Sequence, residues 1–381
     1  MDEMEPGDLA VALSKIPLFR EVQRLLFSQT GPVNWEIARQ IARAVAQAGE
    51  STATPSLEER AAFNEACRIS ELQVAGCTGL EPPTTLARAE ILDRVAWADI
   101  NLEGFRHLID RLALRLQGEL HKAKGPALGL GPVMDAIGPF LLGLEIGFLV
   151  GYLSRRVLGQ YDLCLPRGEA GRLYFVYPNI ASVERELEVD PAQFRLWVAL
   201  HEVTHRLEFE SVPWVRNHFV GLVERFVDAA ELDSSEVMAR LSSLTNLDEL
   251  QRLLTHPEEL LPMLMSPAQK QLVGEIQAVM SVLEGYAEWA MDEVGRDLLP
   301  QFSKMREGIN RRRAERSLVE RLLARLLGLD LKLEQYRAGE RFIRAVAAAD
   351  QLPRLWEGAK NLPTLDETVE PSRWLARVAF S

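Results

Sequence analysis

The sequence predicts a mainly α-helical fold of the α+β kind, in which a small β-hairpin or sheet precedes a long helix carrying His201-Glu202-Val203-Thr204-His205. Three observations predict it. Apolar residues recur at helical spacing through most of the chain, as in Ile37, Ile41 and Val45, or Ile91, Val95 and Ala98. Only Gln160 to Leu165 and Arg172 to Tyr177 read as β-type runs, with Pro166-Arg167-Gly168-Glu169-Ala170-Gly171 as the turn between them. From Pro191 onward the pattern is helical, broken near Pro213, Pro257, Pro300 and Pro353.

The N-terminal third, residues 1 to 124, reads as helices punctuated at Gly31-Pro32, at Ser51 to Ser56 and at Gly76 to Thr85, and carries no recognisable chemistry. The stretch from Lys124-Gly125-Pro126 through Gly131-Pro132 is the expected boundary to a core of residues 125 to 300. Residues 301 to 381 are expected to form a C-terminal helical region packed as one unit with that core. Gly129-Leu130-Gly131 is not a dinucleotide fingerprint, because no strand precedes it and the third glycine and the later acid are missing.

Ala136 to Leu153 is apolar and about long enough to cross a bilayer. Glu145 in its middle and Gly138-Pro139 at its start favour a buried helix instead. Gly143, Gly147 and Gly151, at four-residue spacing, would let another helix backbone come close. No membrane span is therefore expected, and the acidic start Met1-Asp2-Glu3-Met4-Glu5-Pro6, unlike an export signal, points to a cytoplasmic protein.

With 47% hydrophobic and 26% charged residues over 381 positions, the chain reads as globular. A net charge of −12 argues against affinity for nucleic acid through phosphate neutralisation, and Arg311-Arg312-Arg313 with Arg316 reads as a solvated helix face. Cys67, Cys77 and Cys164 match neither a disulfide framework nor a cysteine zinc site, and are expected reduced and buried.

The helix with the histidines marks its own start. Asp190 can cap it, Pro191 suits its first position, and Gln193 completes a capping-box pattern. In that register Phe194, Trp197, Val198, His201, Thr204, His205 and Glu208 share one side, while Leu196, Leu200, Val203 and Leu207 form a second stripe. A helix apolar on nearly all sides belongs in the interior. Two histidines one turn apart can both reach one ion at about 2.0–2.1 Å, which makes His201 and His205 candidate zinc ligands. Glu202, on the neighbouring face, is placed to act as general base toward a water on the metal, whose pKa zinc lowers to about 7.

A tetrahedral site needs a third protein ligand. The metzincin extension is absent, since Glu208 and Ser211 stand where a glycine and a histidine would be required. The helix expected over Gln269 to Val294 puts Met280, Glu284, Ala287, Glu288 and Met291 on one face, where buried carboxylates would need a partner. Glu284 is taken as the third ligand and Glu288 as an outer acceptor that orients a ligand histidine. Glu208 competes for the ligand role, with poor reach from one turn beyond His205. Gly285, inside that helix, suggests close approach of another backbone. For the donor to a developing oxyanion, His218, His256, Tyr286 and Tyr336 are candidates by chemistry alone, and the edge of the Arg172 to Tyr177 strand is a candidate support for an extended peptide.

These segments, His201 to Phe209, Glu284-Gly285-Tyr286-Ala287-Glu288, Gly151 to Asp162 and Gln335 to Phe342, together resemble a bacterial zincin-like family whose members are labelled zinc-dependent proteases or hydrolases associated with deazaflavin coenzyme biosynthesis. The resemblance runs from about Gly31 to Val378. It implies a zincin-like helical core, a zinc ion, and hydrolysis of a peptide or small amide substrate. Glu284-Gly285-Tyr286-Ala287 is also similar to the Glu-Gly-Phe-Ala of zinc aminopeptidases, which carries the ligand role to Glu284 alone, because their Gly-Ala-Met-Glu-Asn motif is missing here. The rival expectations are a scaffold that binds a partner, with or without metal, and a protein that binds the coenzyme or its precursor.

Overall fold

In a computed structural model, the structure describes residues 31–48, 53–85, 88–123, 131–162, 172–229, 266–314 and 333–379. Helix α1 (Trp35–Gln47) begins at Asn34, whose side chain accepts the Ile37 N–H at 3.1 Å. Helix α2 (Leu57–Thr78) starts with a reciprocal capping box between Ser56 and Glu59 and stops at Gly79, which takes a left-handed φ of 72°. Gly76, expected as a break, is carried inside that helix.

Strand β1 (Ala89–Leu92) and helix α3 (Arg94–Ala123) follow. The helical reading of Ile91 is thus corrected: Ile91 lies in β1, and Asp93 ends the strand and accepts the Ala96 N–H at 2.7 Å to start α3. Helix α4 (Gly131–Ser154) runs through Pro139 without breaking there, and the Pro139 carbonyl accepts the Asn34 N–H at 2.8 Å. Strands β2 (Gly159–Tyr161) and β3 (Leu173–Val176) are the expected hairpin pair, and residues 163–171 between them lie outside the described set.

The three strands form one sheet in the order β1-β3-β2, with β3 parallel to β1 and antiparallel to β2. β3 is buried along its whole length and paired on both sides, so its edge is not free to receive a peptide. Val176 N–H donates to Leu158 carbonyl and Asp162 N–H to Arg172 carbonyl, each at 2.9 Å. That ladder puts residues 158, 160 and 162 in the bonded positions and turns the backbone groups of Gly159 and Tyr161 away from β3.

Helices α5 (Tyr177–Leu187), α6 (Pro191–Glu210) and α7 (Pro213–Asp228) come next, then α8 (Pro267–Leu298) and α9 (Phe302–Ala314). The chain closes with α10 (Leu333–Ala348), α11 (Leu352–Trp356), a short turn of 3-10 helix over Ala359–Asn361, α12 (Leu365–Val369) and α13 (Pro371–Ala379). The expected breaks at Pro213, Pro300 and Pro353 all fall at helix starts or joints, and Pro257 lies outside the described residues. Helix α6 is central: Phe194, Leu200, Val203 and Leu207 join the main core with Phe63 and Cys67 of α2 and Leu283 and Met291 of α8.

Two helix crossings depend on glycine. α1 and α4 run side by side in parallel, with Gly143, Gly147 and Gly151 against the carbonyls of Asn34, Ala38 and Ala42. A methyl on Gly151 would stand 2.6 Å from the Ala42 oxygen. The stripe read from the sequence is therefore filled by α1, and among the described residues no helix is long and apolar enough to cross a membrane. The second crossing joins α8 to α10, where a methyl on Gly285 would lie 2.5 Å from both the carbonyl carbon and oxygen of Gly339. Cys67 is buried, Cys77 is exposed against expectation because it faces outward on the last turn of α2, and Cys164 lies outside the described residues.

The α8–α10 crossing generates a prediction with an internal control. Gly285→Ala meets immovable backbone and is expected to cost about 1–3 kcal/mol. Gly274→Ala, on the same helix but with only ordinary contact to Leu365 at 3.6 Å, should gain roughly 0.5–1 kcal/mol from helix propensity. Urea denaturation of both variants checks this, and equal effects would count against the crossing.

Candidate metal centre

Helix α6 starts as read from the sequence, with the Asp190 side chain accepting the Gln193 N–H at 2.9 Å and Pro191 in the first turn. The reciprocal bond does not come from Gln193. Gln301, at the α8–α9 joint, accepts the Asp190 N–H at 2.7 Å and donates its own N–H to Gln193 at 2.9 Å, tying the helix start to the next layer.

The polar residues that this buried helix carries are each compensated. Arg195 reaches Glu184 at 2.9 Å and Glu59 at 2.9 Å. Arg206 reaches Glu71 at 2.9 Å, Glu210 at 3.2 Å and the Thr85 carbonyl. These pairs hold α6 in one rotation about its axis, which aims His201 and His205 at α8.

The two Nε2 atoms stand 3.3 Å apart, Glu284 Oε2 lies 3.7 Å from that of His201, and Glu284 Oε1 lies 3.8 Å from that of His205. An ion bound tetrahedrally at about 2.0–2.1 Å separates its ligand atoms by about 3.3–3.4 Å, so the three donors stand close to the edges of such a site. Among the described residues they are the group of His, Cys, Asp and Glu side chains that could hold a metal ion. Their side chains keep 17%, 12% and 19% exposure, which leaves one side of the site open. Two nitrogens and a carboxylate oxygen suit zinc.

His205 Nδ1 is bonded to Glu208 Oε2 at 2.8 Å, and Glu208 has no exposed surface. Burial by itself lowers the His205 pKa, but the bond to Glu208 and the charges of Glu208, Glu284 and Glu202 outweigh it and raise it. The proton is thereby kept on Nδ1 and Nε2 is turned to the shared centre. Glu208, weighed from the sequence as a ligand, is the acceptor behind one.

Glu288, expected in that outer role, is engaged by Arg306 at 2.5 Å. It lies one turn beyond Glu284, level with α9, and a buried carboxylate there is balanced by a guanidinium. Arg306 also reaches Asp292 at 3.0 Å and Glu340 at 2.9 Å, so α8, α9 and α10 meet in one ion-pair network just below Glu284.

Glu202 points to the other side, under the sheet. Burial pushes its pKa up to about 7; the His205 charge opposes that rise, Glu284 adds to it, and a bond from the Tyr161 backbone N–H lowers it. Its side chain lies against Gly159 of β2. Neither contact was legible from the sequence, where the strand preceding the motif carried no sign of its partner.

Of the four oxyanion candidates, Tyr286 is buried among Trp289 and Trp356 in the C-terminal cluster, and His218 packs against Trp214. His256 lies outside the described residues and Tyr336 is in α10. Arg312, in the basic run, is committed to Glu186 at 3.0 Å.

A buried helix that offers two histidines and a glutamate between them, facing a glutamate on a second long helix beside a small sheet, defines a zincin-like scaffold. The chain belongs to the family described as zincin-like metallopeptidase, which it matches over residues 33–375. A crystal structure of a candidate hydrolase with a novel fold, from Chloroflexus aurantiacus, is similar to it with 34% identity and a TM-score of 0.68, covering 92% of this chain and 99% of that one. No protein of curated function matches the chain.

The raised groups give a pH dependence for the metal-free protein. Glu202 binds its proton more tightly folded than unfolded, so its contribution is full below about 4.5 and is lost as pH rises through about 7. His205, also raised, contributes with the same sign, fully below about 6.5 and progressively less above. Chelator-treated protein is expected to lose melting temperature between about pH 5 and pH 8, and zinc to restore more of it at the upper end, because binding displaces protons. Scanning calorimetry across that range tests it; a zinc effect that shrinks as pH rises would contradict the site.

Proposed function

We propose that the protein is a zinc-dependent hydrolase acting on a peptide or related amide bond, with His201, His205 and Glu284 as metal ligands and Glu202 as general base. The observation that carries this reading is the near-tetrahedral spacing of the three ligand atoms, 3.3, 3.7 and 3.8 Å, with one side left open. Zinc bound there supplies a Lewis acid and lowers the pKa of a coordinated water to about 7.

The remaining work falls to the chain. Glu202 is buried with a pKa near 7, so it can accept a proton at neutral pH and return it to the leaving amine. The Tyr161 N–H holds one end of that carboxylate. Glu208 keeps the His205 proton on Nδ1 and leaves Nε2 as the donor, a role whose loss weakens metal sites about 10–100-fold. The Arg306 network anchors the turn of α8 that follows Glu284. The family's peptidase character supports an amide substrate.

Elemental analysis of the purified parent should give about one zinc per chain, His205→Ala almost none, and Glu202→Gln the parental content. Glu202→Gln should lose about 10²–10⁴-fold of any hydrolysis that the parent shows on a peptide library, as expected for removal of a general base. Equal metal in the parent and His205→Ala would defeat the ligand assignment, and undiminished hydrolysis by Glu202→Gln would defeat the base.

A further inference from the structure

The general base sits against a strand, and one residue of that strand has no side chain. A methyl group on Gly159 would stand 2.5 Å from Glu202 Cγ, 2.6 Å from Oε1 and 2.7 Å from Cδ. No real carbon approaches that closely, so the position of the Glu202 carboxylate and a side chain at 159 exclude each other. The same carboxylate accepts the backbone N–H of Tyr161, two residues along β2.

The two contacts belong to one device. In the β2–β3 ladder, residues 158, 160 and 162 spend their backbone groups on β3, so 159 and 161 face the opposite way, toward α6. Gly159 removes the bulk on that side and Tyr161 supplies a donor on it.

We propose that Gly159 is a positioning residue, which together with the Tyr161 N–H forms a cradle on the edge of β2 that sets the Glu202 carboxylate beside the metal site. The proposal rests on the role given to Glu202 above. It extends the site from two helices to the sheet and gives the third strand a chemical task.

The cradle differs from the glycine crossings of the helices in what an added methyl would meet. At Gly285 it meets backbone, which has nowhere to go. At Gly159 it meets the outer atoms of a side chain that rotates about three bonds, so the carboxylate yields and the strand keeps its place. His201, His205 and Glu284 make no such contact with residue 159 and should keep their metal.

The test uses the full chain as parent, Gly159→Ala, Glu202→Ala and the double variant, with zinc content and melting temperature measured for each. Gly159→Ala is expected to retain parental zinc, to melt lower than the parent, and to lose about 100-fold of the hydrolysis that the parent shows, the scale of a misplacement of about 1 Å. In the Glu202→Ala background the same substitution should leave the melting temperature almost unchanged, because the atoms it meets are gone. A Gly159→Ala chain that folds only when Glu202 is also replaced would support the cradle equally.

An equal melting cost in both backgrounds would overturn the proposal, as would Gly159→Ala failing to fold in both or losing its zinc, since residue 159 would then act through the fold. A parent without zinc would remove the reading on which the proposal rests, and the proposal with it. That result is read on the parent alone, and so is distinct from a zinc-bearing parent in which the two substitutions act independently.

Discussion

A carboxylate on one helix must meet two imidazoles on another, and the rest of the molecule is arranged around the separation of those helices. His201 and His205 need only the geometry of α6 to share a face. Glu284 reaches them only if α8 is held at one distance and one rotation. Two features hold it. The turn at Gly285 is pressed against Gly339 of α10, backbone on backbone, and the turn after it is fastened through Glu288 and Asp292 to Arg306. Contacts between backbones have little room to adjust, so the ligand that comes from furthest away is fixed by the stiffest contact near it.

Burying α6 creates a second demand, because an interior helix that carries Arg195, Glu202, Arg206 and Glu208 has charges to balance. Arg195 answers Glu184 and Glu59, and the Tyr177 hydroxyl, ahead of the Ser56 N–H and of Arg195 itself, holds the Glu59 carboxyl at about 2. Arg206 answers Glu71 and Glu210. Such pairs are costly to break and cheap to replace whole by apolar residues, so they add little net stability. Their direction matters more. They bind α6 to α2 and α5 on the sides away from α8, leaving the histidine face to be completed by Glu284.

What was legible in the sequence follows from the range of each interaction. The histidine pair, the Asp190 cap and the helix that contains Glu284 are local patterns, and each can be read without knowing any partner. The spacing of Gly143, Gly147 and Gly151 announced a close approach without saying to what. β1 was misread because four residues, Ala89 to Leu92, are held as a strand only by pairing with β3, far along the chain. The outer acceptor was sought at Glu288, because a buried acid one turn past a ligand needs a partner; the partner is an arginine on α9, and the acceptor behind His205 is Glu208 on the same helix. Its i, i+3 spacing from His205 was the available signal. Ala136 to Leu153 was legible as buried, though Pro139 continues its helix where a break was expected.

The glycines of Gly151 to Asp162 show how one short segment serves two scales of structure. Gly151 closes the α1–α4 crossing, and Ser154 and Val157 offer their carbonyls to the Asn179 side chain at 2.8 and 2.7 Å, which seats the start of α5. Gln160 exchanges hydrogen bonds with Asn101 of α3, and Asp162 accepts the Tyr174 hydroxyl at 3.1 Å. Between these architectural contacts stand Gly159 and Tyr161, whose backbones face Glu202. Because their neighbours on either side are fixed to β3 and α3, the strand cannot drift toward or away from α6. A flexible carboxylate therefore meets a rigid surface, and its position is decided by the strand. This explains why the small sheet lies beside the motif helix at all: three strands are too few to organise the helical core, but they suffice to hold one backbone edge still against the one side chain that must change its protonation to do chemistry.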